Sequence, residues 1–400
     1  MGALNGIRVL SFNHFLSGPA AAQHLGDIGA DVIAVEALGG AFQRNWAVAN
    51  RFVDDTSVNH ITTGRNKRSI AVDLKSSVGL DVIRKLMETV DVVMENFRPG
   101  TLEKLGLSEA EMRSINPRLI YATTTGFGVD GPYAKRPGQD VLLQAMSGLA
   151  AHTGSMESGP VAVGSVPIDH HAAALTVAGI VAALFERERT GIARRVDVNM
   201  LQAAMDLQGE SITAWMNDAH RAGPRGSDGM ANWFSPAPYG IYAVQEGHVM
   251  ISMSTPHQLA DALGLPALSA FSPDDGFAKR GEVSAMVAAG MAALGLDEAV
   301  GKLTEAGVWH AVVQDYDGLK DDPQVAHLGA FTQMPTAKGT PMVMLAHPVR
   351  YDGETPPVRR APPALGGQSR EILTEAGFGG TEIDALIESG VVVQSDRMRG

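Results

Sequence analysis

Cysteine is absent from all 400 residues. Disulfides, thiolate-held metals and a cysteine nucleophile are excluded together, so covalent chemistry in this chain must use another side chain. Positive charge is also scarce: 32 Lys and Arg face 44 Asp and Glu, a formal net charge of −12. Nucleic acid is therefore not an expected partner, and an anionic ligand must be held by a local basic cluster. Long apolar runs are missing too. The longest, over residues 172–185, is shorter than the ~20 residues a bilayer span needs. The opening MGALNGIRVLSF lacks the charged-then-apolar order of a signal peptide. The expectation is a soluble, cytoplasmic protein without membrane contact.

What is present is ordinary in bulk, 45% hydrophobic and 19% charged residues, but too long for one simple core, so two domains are expected. The apolar run 6–12 reads as a strand, Ser17-Gly18-Pro19 opens a helix, and 31–36 is the next strand. This βαβ pattern implies parallel pairing, with ligands held by loops at the carboxyl ends of the strands. Asn13, His14, Phe15, Leu16 and Ser17 fall in such a loop; taken alone, His14 reads as a satisfied polar residue at a strand end. Residues 39–64 read as an excursion over the surface anchored by Trp46 and Phe52. Further strands are expected at 69–74, 91–97 and 119–125, and Ser108 with Glu111 makes a capping box. The segment GFGVDG at 126–131 matches a dinucleotide motif by letter, but it runs into Pro132 and opens no helix. A helix is expected to follow over about 141–154.

The chain is organised around residues 161–200. A Gly/Ser/Pro turn carries Asp169, a helix of small and apolar residues follows over about 172–188, and a strand closes it at 196–198. A carboxylate at the mouth of a helix either caps free N–H groups or is itself the reactive group, held ionised by them. Both roles are open on the residues alone. A helix over 202–220 and a linker at 221–229 then lead to a hairpin (239–244, 248–253) and short helices, the pattern of a smaller α+β domain. Two helices (369–376, 381–389) and an extended 391–393 end the pattern.

The order of several segments resembles the family III CoA-transferases, the group that includes formyl-CoA transferase, carnitine CoA-transferase and α-methylacyl-CoA racemase. They are SGPAAAQHLGDIGADVIAVE, NKRSIAVDLK, VVMENFRPGTLEKLGL, RPGQDVLLQAMSGLAAHTG, GSVPIDHHAAA and LGGQSREILTEAGFGG. The resemblance implies an α/β fold. A Rossmann-like large domain (1–222 and 331–400) would be built from both chain ends, a small α+β domain (223–330) would lie between them, and two subunits would interlock as a homodimer. It places Asp169 on the family's catalytic aspartate, which carries acyl and CoA groups covalently between an acyl-CoA and a carboxylic acid acceptor. The CoA-contacting positions fall on Phe15, Leu16, Val72, Lys75, Asn96, Phe97, Arg98, Lys104 and Arg136, with Arg68 a further cation in reach. Coenzyme A is thus the implied substrate, and no metal is implied. His170 and His171 point about 100° apart on a helix and do not converge on one ion.

Gln139 separates the branches. Where the racemases place the His of a His–Asp pair, this chain has Gln139-Asp140, and an amide cannot act as a base. A transferase is therefore expected, with a racemase or a non-catalytic CoA-binding subunit as the alternatives. The glycine-run loop of the formyl-CoA transferases is replaced by ANWFSPAPY at 231–239, which suggests a larger or less polar acyl group than formyl or oxalyl.

Overall fold

Val9, Leu10 and Phe12 are fully buried, the both-faces burial of a strand inside a parallel sheet. The computed structural model describes residues 2–218, 225–226, 229–272, 274–336 and 338–395. In it β1 (Arg8–Phe12), β2 (Asp31–Glu36), β3 (Lys67–Val72), β4 (Val92–Glu95), β5 (Ile120–Thr125), β6 (Arg195–Asn199) and β7 (Val392–Val393) form a seven-stranded sheet. The order is β7-β3-β2-β1-β4-β5-β6. Every pair is parallel except β7 on β3, where Val392 lies antiparallel and opposite Val72. Strand order reverses at β1, so a crevice opens between the carboxyl ends of β1 and β4.

Each face of the sheet carries its own core. Leu10, Ile33, Ile70, Val72 and Val93 pack with Ile83 and Leu86 of helix Ser77–Met87 and with Ile372 and Leu373 of helix Ser369–Glu375. On the other face Val9, Val32, Val92 and Met94 meet α1 (Ser17–Asp27) and a long helix, Pro167–Thr190, through Ala21, Leu25, Ala173, Ile180 and Leu184. That long helix runs 24 residues and is long and apolar enough, by length and composition only, to cross a membrane. The apolar run in the sequence underestimates it. One side of it packs into the core, with Ile168, Ala172, Ala173, Thr176, Ile180, Ala183 and Leu184 buried and the buried Arg187 paired to Asp91 at 2.8 Å.

Contacts divide the chain into two units, one of residues 1–143, 166–203 and 326–400, the other of 144–165 and 204–325. The first therefore joins segments from both sides of an insertion. The second has a three-stranded antiparallel sheet (Gly240–Val244, Gly247–Ser252, Trp309–Val312) over a core that includes Tyr242, Val249, Ile251, Val287 and Leu303. Residues 144–165 and 204–218, assigned to the large domain on sequence, lie in the second unit.

Several expected elements differ, each for a local reason. Residues 39–64 are not a loose excursion: helices Phe42–Asn45 and Val58–Gly64 form there, with His60, Ile61 and Thr63 buried. Trp46 and Phe52 are 47% and 42% exposed, Trp46 stacking on Phe42 of the same segment with centroids 5.8 Å apart. Ser108 accepts the N–H of Glu111, but the Glu111 carboxylate turns to Arg84 at 2.8 Å, so only half of the capping box forms. Gly148, at φ 91°, ends one helix and starts another at Leu149–His152. The helix over 202–220 is two, Met200–Asp206 and Gly209–Asn217. Its expected last residues, with 221–224 and 227–228 of the linker, lie outside the described residues.

Candidate active site

The crevice is built by the loop between β1 and α1. Asn96, just past β4, grips that loop from across the crevice: its Nδ2 donates to the His14 carbonyl at 2.8 Å and its Oδ1 accepts the His14 N–H at 2.9 Å. Phe15 takes a left-handed conformation, φ 58°, and donates its N–H to Gln43 Oε1 at 3.2 Å. Gly18 is required by this packing, because a Cβ there would meet Asn13 Oδ1 at 2.2 Å and the Asn96 side chain at 2.9 Å. The loop thus fixes the first turn of α1, and with it Ser17, at the mouth of the switch point.

Asp169 arrives from the opposite direction. We label Asp140–Met146 α2 and Pro167–Thr190 α3. Pro167 sits at the first position of α3, where its missing N–H and fixed φ are no burden. The helix therefore starts five residues earlier than the apolar run suggests, and Asp169 lies inside its first turn. Capping is done from outside. Oδ2 of the buried Asp140 accepts the N–H of Ile168 at 2.7 Å and of Asp169 at 3.0 Å. The Asp169 carboxylate is left for another partner and accepts hydrogen bonds from the N–H and hydroxyl of Ser17. Burial, and then the charge of Asp140, push its pKa up to about 6 against the pull of those two bonds.

The loop itself carries a group of aromatic rings. The His14 ring stacks on Phe97, with centroids 5.1 Å apart and planes at 21°, and lies 4.9 Å from Phe15. His14 is not a satisfied strand-end residue: its Nδ1 is buried without a partner, and burial pushes its pKa down, so the ring is neutral. Phe97 donates its N–H to Glu95 at 2.7 Å, Tyr121 donates its hydroxyl to the same carboxyl at 3.3 Å, and burial raises Glu95 to about 7.

Of the residues singled out on sequence, contacts link His14 with Phe15, Asn96 and Phe97, and Ser17 with Asp169. Leu16 stands at the N-cap of α1, half-buried. Lys75, Arg98, Lys104 and Arg136 are exposed beyond the carboxyl ends of β3, β4 and β5, Arg136 lying 3.9 Å over the Tyr133 ring. Gln139 is exposed at the foot of α2, where its carbonyl accepts the N–H of Leu142 and Leu143. Two positions do not serve as expected. The Val72 side chain is sealed in the core at 0% exposure. Arg68, 2% exposed, is spent on Asp31, Glu371 and Glu375 at 2.5–3.1 Å. Asp140 as the cap of α3 and Gln43 as the acceptor for Phe15 carry no local sequence signal, since each partner is distant in the chain.

The model of CoA-transferase family III matches residues 4–369. The chain belongs to CoA-transferase family III. It is 30% identical to a probable fatty acyl-CoA transferase of Mycobacterium tuberculosis, over 92% of this chain and 97% of that one. A succinyl-CoA:glutarate CoA-transferase of Mus musculus is 29% identical over 99% of this chain and 92% of that protein. Among solved structures, a CaiB/BaiF family protein from Brucella suis superposes with a TM-score of 0.82 at 28% identity, covering 94% and 99% of the two chains. In the 231–239 loop of this family III member Trp233 is buried and donates Nε1–H to Ser211 at 2.8 Å.

Asp140 gives a direct handle on Asp169. Asp140→Asn keeps an oxygen for the two capping N–H groups but removes the charge that helps hold the Asp169 pKa up to about 6. Asp169 is expected to titrate lower in this variant, and the acid limb of CoA transfer to move to lower pH with it. A pH–rate profile whose acid limb stays in place would contradict this assignment of the shift.

Proposed function

We propose that this family III transferase moves CoA between carboxylic acids through a covalent aspartyl-CoA intermediate on Asp169. The observation that carries the proposal is the half-buried Asp169 carboxylate, bonded to the first residue of α1 at the sheet's switch point and raised to about 6. Above that pH it is ionised and able to attack, while a raised pKa makes it a better nucleophile than an exposed carboxylate. One carboxylate oxygen adds to the thioester carbonyl of the acyl-CoA. Collapse of the tetrahedral oxyanion expels CoA thiolate and leaves an acyl-aspartyl anhydride. The thiolate then attacks the Asp169 carbonyl carbon and expels the donor carboxylate, leaving an aspartyl-CoA thioester. An acceptor carboxylate enters and repeats both steps in reverse, so no proton, water or redox equivalent is consumed.

The surrounding residues suit this sequence. Lys75, Arg98, Lys104 and Arg136 offer positive charge for the CoA phosphates, and Phe15, Leu16, Asn96 and Phe97 belong to the loops at the crevice where the pantetheine arm would lie. Gln139 supplies no base, which favours transfer over racemisation. Apolar surface supports a homodimer: Val181 and Phe185 on α3 are 37% and 63% exposed, and Val141, Leu142 and Met146 on α2 are exposed as well. A helix apolar on all sides is stable when both faces are covered, and a second copy of the chain would cover this one.

Intact-protein mass after mixing with a panel of acyl-CoAs tests the covalent step. An adduct of CoA or acyl mass on the wild type, absent from Asp169→Ala and removed by hydroxylamine, is expected. An adduct that persists on Asp169→Ala would move the nucleophile elsewhere. Isotope exchange at the acyl α-carbon with no adduct and no acceptor acid would favour a racemase.

A further inference from the structure

At the far end of α1 from Ser17, three potential ligands converge that play no part in the transfer site. His24 and Asp27 are one turn apart and share a face of the helix. His347, buried and just beyond the strand Pro341–Leu345, reaches the same point. One ligand atom from each lies within 4.8 Å of the others.

Two of the separations suit a shared ion. The two imidazole Nδ1 atoms face each other at 3.4 Å, and His347 Nδ1 is 3.4 Å from Asp27 Oδ2. These are longer than a good hydrogen bond, about 2.7–3.2 Å. Zinc–nitrogen bonds of about 2.0–2.1 Å in a tetrahedron give ligand-to-ligand edges of about 3.4 Å.

The charged groups around the cluster narrow the choice of ion. Arg65 grips Asp27 through Nε at 3.0 Å and Nη2 at 2.7 Å, and Asn66 Nδ2 donates to Oδ1 at 2.7 Å. These bonds orient the carboxylate in the way outer partners orient metal ligands. Arg65 opposes a cation. The ion must then draw its affinity from imidazole nitrogen, which selects Zn²⁺ and its late first-row neighbours over Mg²⁺ or Ca²⁺.

We propose that His24, Asp27 and His347 form a binding site for a zinc-class divalent ion, fastening the carboxyl end of α1 to the segment after strand Pro341–Leu345. The site is independent of the transfer chemistry, and its test does not use activity. The full-length protein, tag removed, is loaded with Zn²⁺, dialysed and analysed for metal; in parallel Co²⁺ is added and the visible spectrum recorded. Retention of about one zinc per chain is expected, with the intense visible bands of tetrahedral cobalt, a melting temperature that falls on chelation, and loss of all three in His24→Gln and in His347→Gln. Wild-type protein that keeps no more zinc than the two variants, and melts identically with zinc and with chelator, overturns the site and leaves a neutral histidine pair. Should a variant fail to fold, the wild-type metal content and chelator response still decide the question.

Discussion

Asp169→Asn is expected to abolish CoA transfer and at the same time to make the protein more stable at neutral pH. An amide cannot form the anhydride or the thioester, and losing a covalent nucleophile lowers turnover on the order of 10³-fold or more. The stability change follows from the direction of the pKa shift. The Asp169 carboxyl is raised from 3.8 unfolded to about 6 folded, so the folded state binds more protons between those values. Stability therefore falls as pH rises through this window, and at pH 7 and above the buried charge costs roughly 3 kcal/mol. The neutral side chain avoids that cost. Denaturant titrations of both proteins should show the variant ahead by roughly 2 kcal/mol at pH 8 and no better than the wild type near pH 4. A variant less stable than the wild type at pH 8 would mean that the folded state does not hold this carboxylate at a cost.

Arg68 supplies the second large effect. Its guanidinium joins β3 to β2 through Asp31 and to helix Ser369–Glu375 through Glu371 and Glu375. Removing one partner of a buried pair costs about 3–5 kcal/mol. Here all three carboxylates are about a third exposed or more and regain solvent, so Arg68→Met is expected to lose about 2–3 kcal/mol. The Michaelis constant for acyl-CoA should stay unchanged. Arg98→Ala should do the opposite, weakening acyl-CoA with little change in melting temperature. A large Michaelis effect for Arg68→Met would restore it as a phosphate ligand.

The contrast between these arginines shows where sequence carries information. Both stand beside strands in segments that resemble the family, and nothing in their neighbours tells a cation facing solvent from one facing three carboxylates. Strands β1, β2 and β5 were legible because a parallel sheet demands continuous apolar runs. Asp169 was legible as a carboxylate beside a helix, but its role was not, because the competing cap comes from Asp140, 29 residues earlier. The start of α3 was read late because Pro167 looks like a turn residue when the N–H acceptor that favours a helix there lies elsewhere. Residues 39–64 misled for a different reason: their interior is polar, with Gln43 and His60 buried and Arg44 paired to Glu36 at 2.6 Å, so no apolar period marks it. His24 and His347 stand 323 positions apart, beyond the reach of any spacing motif.

One consequence of the sheet concerns synthesis. β7 is laid against β3 more than three hundred residues after β3 has been made, and the strands between them belong to both units. While the chain is still on the ribosome, the Ala71–Val72 edge of β3 is unpaired and open to other strands. The large unit therefore closes its outer edge only once β7 has been made, and the nascent chain depends on that edge being shielded until β7 emerges.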